Sequence, residues 1–365
     1  MHGCGTGRPG DDWSCSLVHF YFPYCDRMST DFTVFMPLFK REWHTRAVLE
    51  GLTRRFQPGS IHIATLPEQI AALDCAVKGW DCAPVHFYDE TEFFGLGDRS
   101  KSALCQRIAS LPKLYQAGWF YQQLLKLGCQ EVIPELTDWT LVWDSDLIPF
   151  TAWPLLKDDV PASALLQHKS KGNPVIVAAW ERWIRDHLGV LAIADPVGTF
   201  IPHHMWFYRP ALQSLCDQLQ NFSGRDWPLA MMDTVATHES FSEYWAVASW
   251  MATHYPDLFA YHRYELAGAT TERFFEDGRG KLARYYHKWS RQQAMAESEE
   301  TPSYAALSAC MHDAYHSTGD PLPSSLSLES SPRHIDKLEA NRHLEEQRSR
   351  WLVRASDREA LGIDV

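Results

Sequence analysis

The sequence predicts an α/β fold, in which a mostly parallel sheet is flanked by helices and followed by a peripheral C-terminal helical extension. Short apolar runs of strand length alternate with longer stretches of helix length between residues 32 and 150. The links between them are short, as in parallel sheets covered on both faces. After about residue 290 the sequence becomes polar and then dense in charges, which marks the extension.

The elements of the first half follow one another in a regular order. A continuous apolar run predicts a buried strand, and a run with helical spacing predicts a helix. The predicted strands are Phe32–Phe39, Ser60–Thr65, Ala83–Tyr88 and Trp139–Trp143. The predicted helices are Lys40–Phe56, Glu68–Trp80 and a longer one that ends with Gly118–Gly128.

The second half is less regular, and its pattern divides the chain. Strands are predicted at Pro174–Trp180 and Gly198–Tyr208, and helices at Pro210–Leu219 and Phe241–Tyr255. The predicted organisation is an irregular arm (1–29), a catalytic domain (30–290), a polar Ser/Pro-rich linker (291–332) and a charged helix (333–365).

The composition excludes several classes of protein. The 365 residues carry a net charge of −12, which argues against a nucleic-acid partner. No run approaches the roughly 20 apolar residues of a membrane-spanning helix. Nine cysteines without a C-x-x-C pair predict free thiols and a cytoplasmic location. The sequon at Asn221 leaves the Golgi or secretory lumen as an alternative.

Two carboxylates, Asp144 and Asp146, flank Ser145 directly after a predicted central strand. In parallel sheets ligands bind at the carboxyl ends of the strands, where this pair falls. Two acids this close need a cation or water to coexist, and hard divalent cations such as Mg²⁺ and Mn²⁺ prefer oxygen ligands. The alternative is a solvated acidic turn, with Pro149 ending the strand.

The helix before this strand carries one polar stripe, which consists of Trp119, Gln122, Gln123 and Lys126. These residues recur at helical spacing on an otherwise apolar cylinder. The stripe is either a solvent-facing surface or a set of side chains presented to the strand ends. In the second case Lys126 suits a phosphate, and Trp119 suits a stacked base or sugar.

The order of four segments resembles the GT-A-fold glycosyltransferases, with a Rossmann-like sheet. The segments are GWFYQQLLKL, LVWDSDLIPF, HHMWFY and FSEYW, within about residues 31–280. The resemblance implies Mn²⁺ or Mg²⁺ held by Asp146, with Asp144 near the metal or the donor ribose. It also implies a UDP- or GDP-sugar donor that contacts Ser145 and the helix stripe. Pro37 and Lys40 would begin the nucleotide pocket, and His262 would complete the metal site.

The same resemblance implies an acceptor side to the site. Glu243 matches the acid that inverting enzymes of this fold use as general base. Ser240-x-x-Glu243 is equally a capping box at the start of a helix. His204, Trp206 and Tyr244 are expected to contact a glycan or another hydroxyl acceptor. Because neighbouring strand residues face opposite ways, only one of His203 and His204 is expected to face the site.

The sequence therefore predicts a metal-dependent glycosyltransferase. Two alternatives share the same acids. One is a catalytically inactive GT-A domain that serves as a carbohydrate-binding or scaffold protein. The other is a D-x-D phosphatase with Asp144 as nucleophile, although in such phosphatases the acids normally follow the first strand, and here three predicted strands come earlier.

Overall fold

A central sheet of five strands organises the described part of the chain. The computed structural model describes residues 32–108, 116–166, 174–194, 200–235, 240–263, 271–275, 301–316, 319 and 321–329. In spatial order the central strands are β3 (Val85–Asp89), β2 (Ser60–Thr65), β1 (Thr33–Leu38), β4 (Trp139–Trp143) and β8 (His204–Tyr208). The first four are mutually parallel, whereas β8 runs antiparallel to β4. The predicted mostly parallel α/β sheet is confirmed.

Both faces of this sheet are covered, because each buried strand is apolar on both sides. Along β1, Phe35 points into one hydrophobic cluster, while Val34 and Met36 point into the other. This alternation is the period-two geometry of a strand. Continuous apolar runs such as that of β1 are therefore typical of a strand buried between two layers.

Nine α-helices flank the sheets in the described ranges. They are α1 (Thr45–Phe56), α2 (Pro67–Val77), α3 (Lys101–Gln106), α4 (Gln116–Val132), α5 (Pro174–Trp183), α6 (Arg209–Ser223), α7 (Trp227–Asp233), α8 (Glu243–His254) and α9 (Tyr304–His316). Buried residues of α4, α6 and α8 belong to the cluster that contains Phe35. Buried residues of α1 and α9 belong to the cluster on the opposite face.

Two small sheets extend the central one. The first has the order β10 (Thr271–Phe275), β11 (Ser325–Glu329) and β5 (Leu147–Pro149), with β11 antiparallel to β5. The second has the order β6 (Leu156–Lys157), β7 (Val160–Leu166) and β9 (Ala260–Arg263). Because β5 begins one residue after Asp146, the first small sheet lies directly against the acidic turn.

Two predicted strands differ from the structure. The apolar run at Pro174–Trp180 begins helix α5 instead, since a short apolar run fits a buried helix as well as a strand. The proline occupies the first helical position, where its missing N–H costs nothing. Only the last five residues of Gly198–Tyr208 form strand β8, because His203 has a φ of +63° and breaks the extended backbone.

The stretch expected to be a linker, residues 291–332, contains both α9 and β11. Helix α9 buries a stripe made of Tyr304, Leu307, Met311 and Tyr315, which recurs with helical spacing in an otherwise polar segment. The predicted arm (1–29) and the charged helix (333–365) lie outside the described residues. Among the described helices, none combines the length and the apolar character that crossing a bilayer requires.

Candidate functional site

A tight turn places both acids of the pair on one side of the sheet edge. The N–H of Leu147 donates to the carbonyl of Asp144 at 3.1 Å, which closes the turn between β4 and β5. The indole of Trp143 reaches across and donates to the carbonyl of Leu147 at 2.8 Å. The turn lies at the carboxyl end of β4, next to that of β1, where the order of the strands reverses. Ligands of open parallel sheets bind at such a switch point.

A histidine joins the two acids. The ligand atoms of Asp144, Asp146 and His203 all lie within 4.8 Å of one another, and this is the one such group in the described ranges. His203 Nδ1 lies 3.2 Å from Asp144 Oδ2 and 3.9 Å from Asp146 Oδ1. The positive φ of His203, uncommon for a residue other than glycine, brings its ring to the turn. Its carbonyl accepts from the N–H of Asp144 at 2.8 Å.

This set of donor atoms fits a divalent cation. Carboxylate oxygens suit Mg²⁺ and Mn²⁺, whereas an imidazole nitrogen suits the transition metals more than Mg²⁺. The three side chains are also partly shielded from water, with His203 9% exposed.

A buried lysine ties the first aspartate to Glu243. The ammonium of Lys126 lies 2.5 Å from Asp144 Oδ1 and 2.6 Å from Glu243 Oε1. The Tyr244 hydroxyl donates to the same Asp144 oxygen at 2.7 Å, and its ring centre lies 4.3 Å from the ammonium. Asp144 thus has its Oδ1 held by two donors, and its Oδ2 faces His203.

These contacts decide the charge states. Burial alone raises the pKa of Asp144, but the charge of Lys126 and the hydrogen bond from His203 outweigh it, so its pKa is held well below the usual range. Burial alone lowers the pKa of Lys126, but the charges of Asp144 and Glu243 outweigh it and raise that pKa. Burial, with the Asp144 charge second, raises the pKa of Tyr244 well above its ordinary value. Tyr244 therefore stays a hydrogen-bond donor.

The polar stripe of α4 divides into a buried half and an exposed half. Gln123 and Lys126 are 1% and 3% exposed, so for them a solvent-facing surface is ruled out. The Gln123 side-chain oxygen accepts from the N–H of Glu243 at 2.9 Å, which fixes the start of α8. Trp119 is 40% exposed and Gln122 is half-buried.

The remaining residues predicted for the donor occupy different positions. Pro37 is buried opposite Ala64 as the last residue but one of β1. Lys40 is exposed beyond β1, with its ammonium 3.3 Å from Glu42. Ser145 forms the middle of the acidic turn, and its backbone bonds to the His44 imidazole.

The residues predicted for the acceptor are buried in packing. His204 accepts from the Trp153 indole at 3.2 Å, and its Nδ1–H donates to a backbone carbonyl at 3.0 Å. Trp206 is 2% exposed and donates to the carbonyl of Leu155 at 2.9 Å. Tyr244, 1% exposed, is held by Asp144. The structure therefore gives these three side chains internal partners instead of an open face for an acceptor.

The structure does not bring His262 to the acids. Its Nε2 donates to the carbonyl of Leu156 at 2.8 Å, within the second small sheet. The histidine beside the two acids is His203, in the place in the metal site that was expected for His262. One of His203 and His204 faces the acids, as expected, but strand alternation is not the reason, because His203 lies outside β8 and has a positive φ. The backbone reversal that selects His203 has no signature in the sequence, since it occurs without glycine.

His44 was not predicted from the sequence. It is 6% exposed at the start of α1, and burial, opposed by the hydrogen bond that its imidazole donates to the backbone of Ser145, lowers its pKa to about 4. It is therefore neutral near pH 7. A lone histidine within the predicted helix Lys40–Phe56 offers no signal by itself, and only the fold brings it beside the turn.

No family model matches the chain, and no curated protein does. Solved structures with a similar course of the chain include glycosyltransferases. Mouse xyloside xylosyltransferase 1 in its apo form is 12% identical over 74% of this chain and 95% of its own, with a TM-score of 0.40. The galactosyltransferase LgtC, in complex with donor and acceptor sugar analogues, is 11% identical over 82% and 88%, with a TM-score of 0.38.

The glycosyltransferase GlyE of Streptococcus pneumoniae is 11% identical over 82% of this chain and 55% of its own, with a TM-score of 0.37. Each of these TM-scores lies below 0.5. These likenesses therefore carry no argument about the function of this chain, and the function proposed for it rests on its own site.

Proposed function

We propose that this chain is a metal-dependent glycosyltransferase, which moves a sugar from a nucleotide-diphosphate donor to an acceptor hydroxyl. One observation supports it above the others. Asp144, Asp146 and His203 converge within 4.8 Å at the switch point of a parallel sheet. A cation held there would face a ligand that enters between the ends of β1 and β4.

The residues of the site have separable tasks. Asp146, His203 and Oδ2 of Asp144 would hold the cation, and Mn²⁺ suits this mixed set better than Mg²⁺. When bound, the cation would offset the charge of the diphosphate and of the nucleotide that leaves. Lys126 and Tyr244 keep Asp144 ionised and fixed in orientation.

The group that receives the acceptor proton is proposed to be Glu243. Its carboxylate is 5% exposed and paired with Lys126, so the structure gives it a second task in holding the lysine. A general base contributes about 10²- to 10⁴-fold to rate. Glu243→Gln removes both the base and the ion pair, and two readouts separate these tasks. A fall in kcat by such a factor supports the base, whereas lower stability with a nearly unchanged kcat leaves only the task of holding the lysine.

Calorimetric titration tests the proposal. UDP and GDP are titrated into wild type, Asp146→Asn and the surface control Asp74→Asn, each with and without Mn²⁺. We expect one nucleotide to bind wild type and the control only with Mn²⁺, and Asp146→Asn to lose that binding. A folded wild type that binds neither nucleotide would refute the proposal.

The two alternative functions predict different results in separate measurements, a glycan titration and trapping of a phosphorylated aspartate. An inactive carbohydrate-binding domain binds a glycan without nucleotide or metal, and its binding survives Asp146→Asn. A phosphatase forms a phosphoaspartate on Asp144. The latter has less support, since Asp144 follows the fourth strand and its Oδ1 is already held by Lys126 and Tyr244.

A further inference from the structure

The turn that carries Asp146 leaves backbone groups that β4 does not satisfy. Buried backbone N–H and C=O groups almost always find partners, so each group between residues 146 and 151 needs one. The described contacts show where four of these partners come from. All four lie between residues 304 and 328, at least 150 positions further along the chain.

Strand β11 and the residue that precedes it, Ser324, accept or donate three of these hydrogen bonds. The N–H of Leu328 donates to the carbonyl of Asp146 at 3.0 Å. The N–H groups of Phe150 and Thr151 both donate to the carbonyl of Ser324, at 2.6 and 3.1 Å. The strand that pairs with β5 therefore also holds the backbone of Asp146, whose carboxylate is a predicted metal ligand.

Helix α9 supplies the fourth partner through one side chain. The Tyr304 hydroxyl donates to the carbonyl of Phe150 at 3.1 Å and accepts from Arg55 Nε at 2.9 Å. The tyrosine is 2% exposed, and its ring stacks on that of Phe150. Both backbone groups of residue 150 are therefore held by residues 304–328.

The start of α9 is itself fixed to α1. The carboxylate of Glu50, 4% exposed, accepts from the N–H of Tyr304 at 2.7 Å and from Arg46 at 2.7 Å. Opposite the tyrosine ring lies Gly51, where a Cβ would stand 3.0 Å from the ring. The close approach of the two helices thus depends on glycine at this position.

From these contacts we propose that α9 and β11 are positioning elements of the candidate metal site, with Tyr304 as the principal positioning residue. They hold the backbone on both sides of β5, and thereby set where the Asp146 carboxylate lies relative to Asp144 and His203. The inference rests on the proposed function for the identity of the ligand, but the hydrogen bonds themselves do not depend on it.

Tyr304→Phe in the full chain tests this role, because it removes the two hydroxyl hydrogen bonds and keeps the ring. Tyr255→Phe is the matched control. The Tyr255 hydroxyl also has two partners, the carbonyl of Pro210 at 3.2 Å and the Ser214 hydroxyl at 3.1 Å. It follows the last residue of α8, whereas Tyr244 of the site lies at the opposite end of that helix.

Two readouts separate positioning from stability. Hydrogen exchange of the amides of residues 144–151 is expected to be faster in Tyr304→Phe and unchanged in Tyr255→Phe, at similar melting temperatures. The Kd for Mn²⁺ in the presence of UDP is expected to rise about ten-fold in Tyr304→Phe. This is the lower end of the loss in metal affinity that follows when a group that orients a metal ligand is removed. Glu50→Gln, which weakens the hold on α9 without touching the turn, is expected to act in the same direction.

The results that overturn the inference differ from those that overturn the function. Unchanged exchange at 144–151 in both Tyr304→Phe and Glu50→Gln would refute the positioning role, even if both variants melted earlier. A wild type that binds neither Mn²⁺ nor nucleotide would refute the proposed function. In that case the exchange measurement alone decides whether α9 and β11 hold the turn.

Discussion

The buried ion pair of Lys126 offers the most direct test of how the site is held. Lys126→Met removes the ammonium and puts an apolar side chain in the place of the lysine stem. The side chain of Lys126 is 4% exposed, and those of its partners Asp144 and Glu243 are 16% and 5% exposed. The variant therefore leaves two carboxylates near each other with no cation between them.

The magnitude follows from this arrangement. Removing one partner of a buried ion pair costs about 3 to 5 kcal/mol, because the remaining charge is buried without compensation. Tyr244 and His203 still face Asp144, so we expect a loss near 3 kcal/mol. Glu243→Gln added to Lys126→Met removes one of the two stranded charges. We expect the double variant to recover about 2 kcal/mol, within the range measured for coupled neighbours.

Urea unfolding of wild type, both single variants and the double variant at pH 7 gives the coupling energy. Lys78→Met serves as control, because Lys78 also lies 2.7 Å from an acid, Asp74, but on the surface. It is expected to leave the free energy of unfolding nearly unchanged. A loss below about 1 kcal/mol in Lys126→Met, or additivity within about 0.3 kcal/mol in the cycle, would refute this account of the site.

Three further predictions concern other parts of the chain. His203→Asn is expected to keep the melting temperature, since Asn tolerates a positive φ, and to weaken Mn²⁺ binding by calorimetry at least about ten-fold; unchanged affinity would remove His203 from the metal site. Gly128→Ala places a Cβ 2.3 Å from the Phe94 ring, so we expect a net loss of about 1 to 2 kcal/mol in urea unfolding despite the better helix propensity of alanine, and a gain would contradict it. Burial, assisted by His86, lowers the pKa of His62 to about 4, so this residue binds more protons in the unfolded chain below pH 6.5, and its contribution to stability should fall by up to about 1.4 kcal/mol per unit from pH 6.5 to 4. His44, whose pKa is lowered in the same way, adds to the slope; His62→Gln should therefore make the slope shallower by the His62 contribution, and an unchanged slope would assign it to other groups.

The parts that the sequence predicted are those determined by local pattern. Strand β2 begins and ends where its apolar run does, and β1 departs by one residue at each end. The acidic pair was found because a strand with a recognisable run precedes it. The contacts of Lys126 with Glu243 span 117 positions, and those of Tyr304 with Phe150 span 154. No local pattern records such pairings, and they require the fold.

Helix α9 shows a different reason for failure. Its buried stripe has helical spacing, so the signal was present, but the Ser/Pro-rich flanks dominated the interpretation of the whole segment as a linker. His203 shows a third, since its positive φ occurs at a residue type that does not signal it, where its carbonyl accepts from the N–H of Asp144. For α9, periodicity was thus a better guide than composition. For His203, neither composition nor periodicity was a guide, and only the backbone contacts of the fold show its position.

The position of Lys126 also changes how this acidic chain must bind a diphosphate. The sequence offered Lys126 as a cation for the phosphates, but the structure buries it and uses its charge on Asp144 and Glu243. Those three groups together carry a net charge of −1, and Asp146 adds another negative charge to the same edge. A diphosphate approaching this edge is repelled unless a divalent cation lies between them. Nucleotide affinity should therefore depend more steeply on Mn²⁺ than it would with an exposed lysine in the site, and measurable UDP or GDP binding in excess chelator would contradict that reasoning.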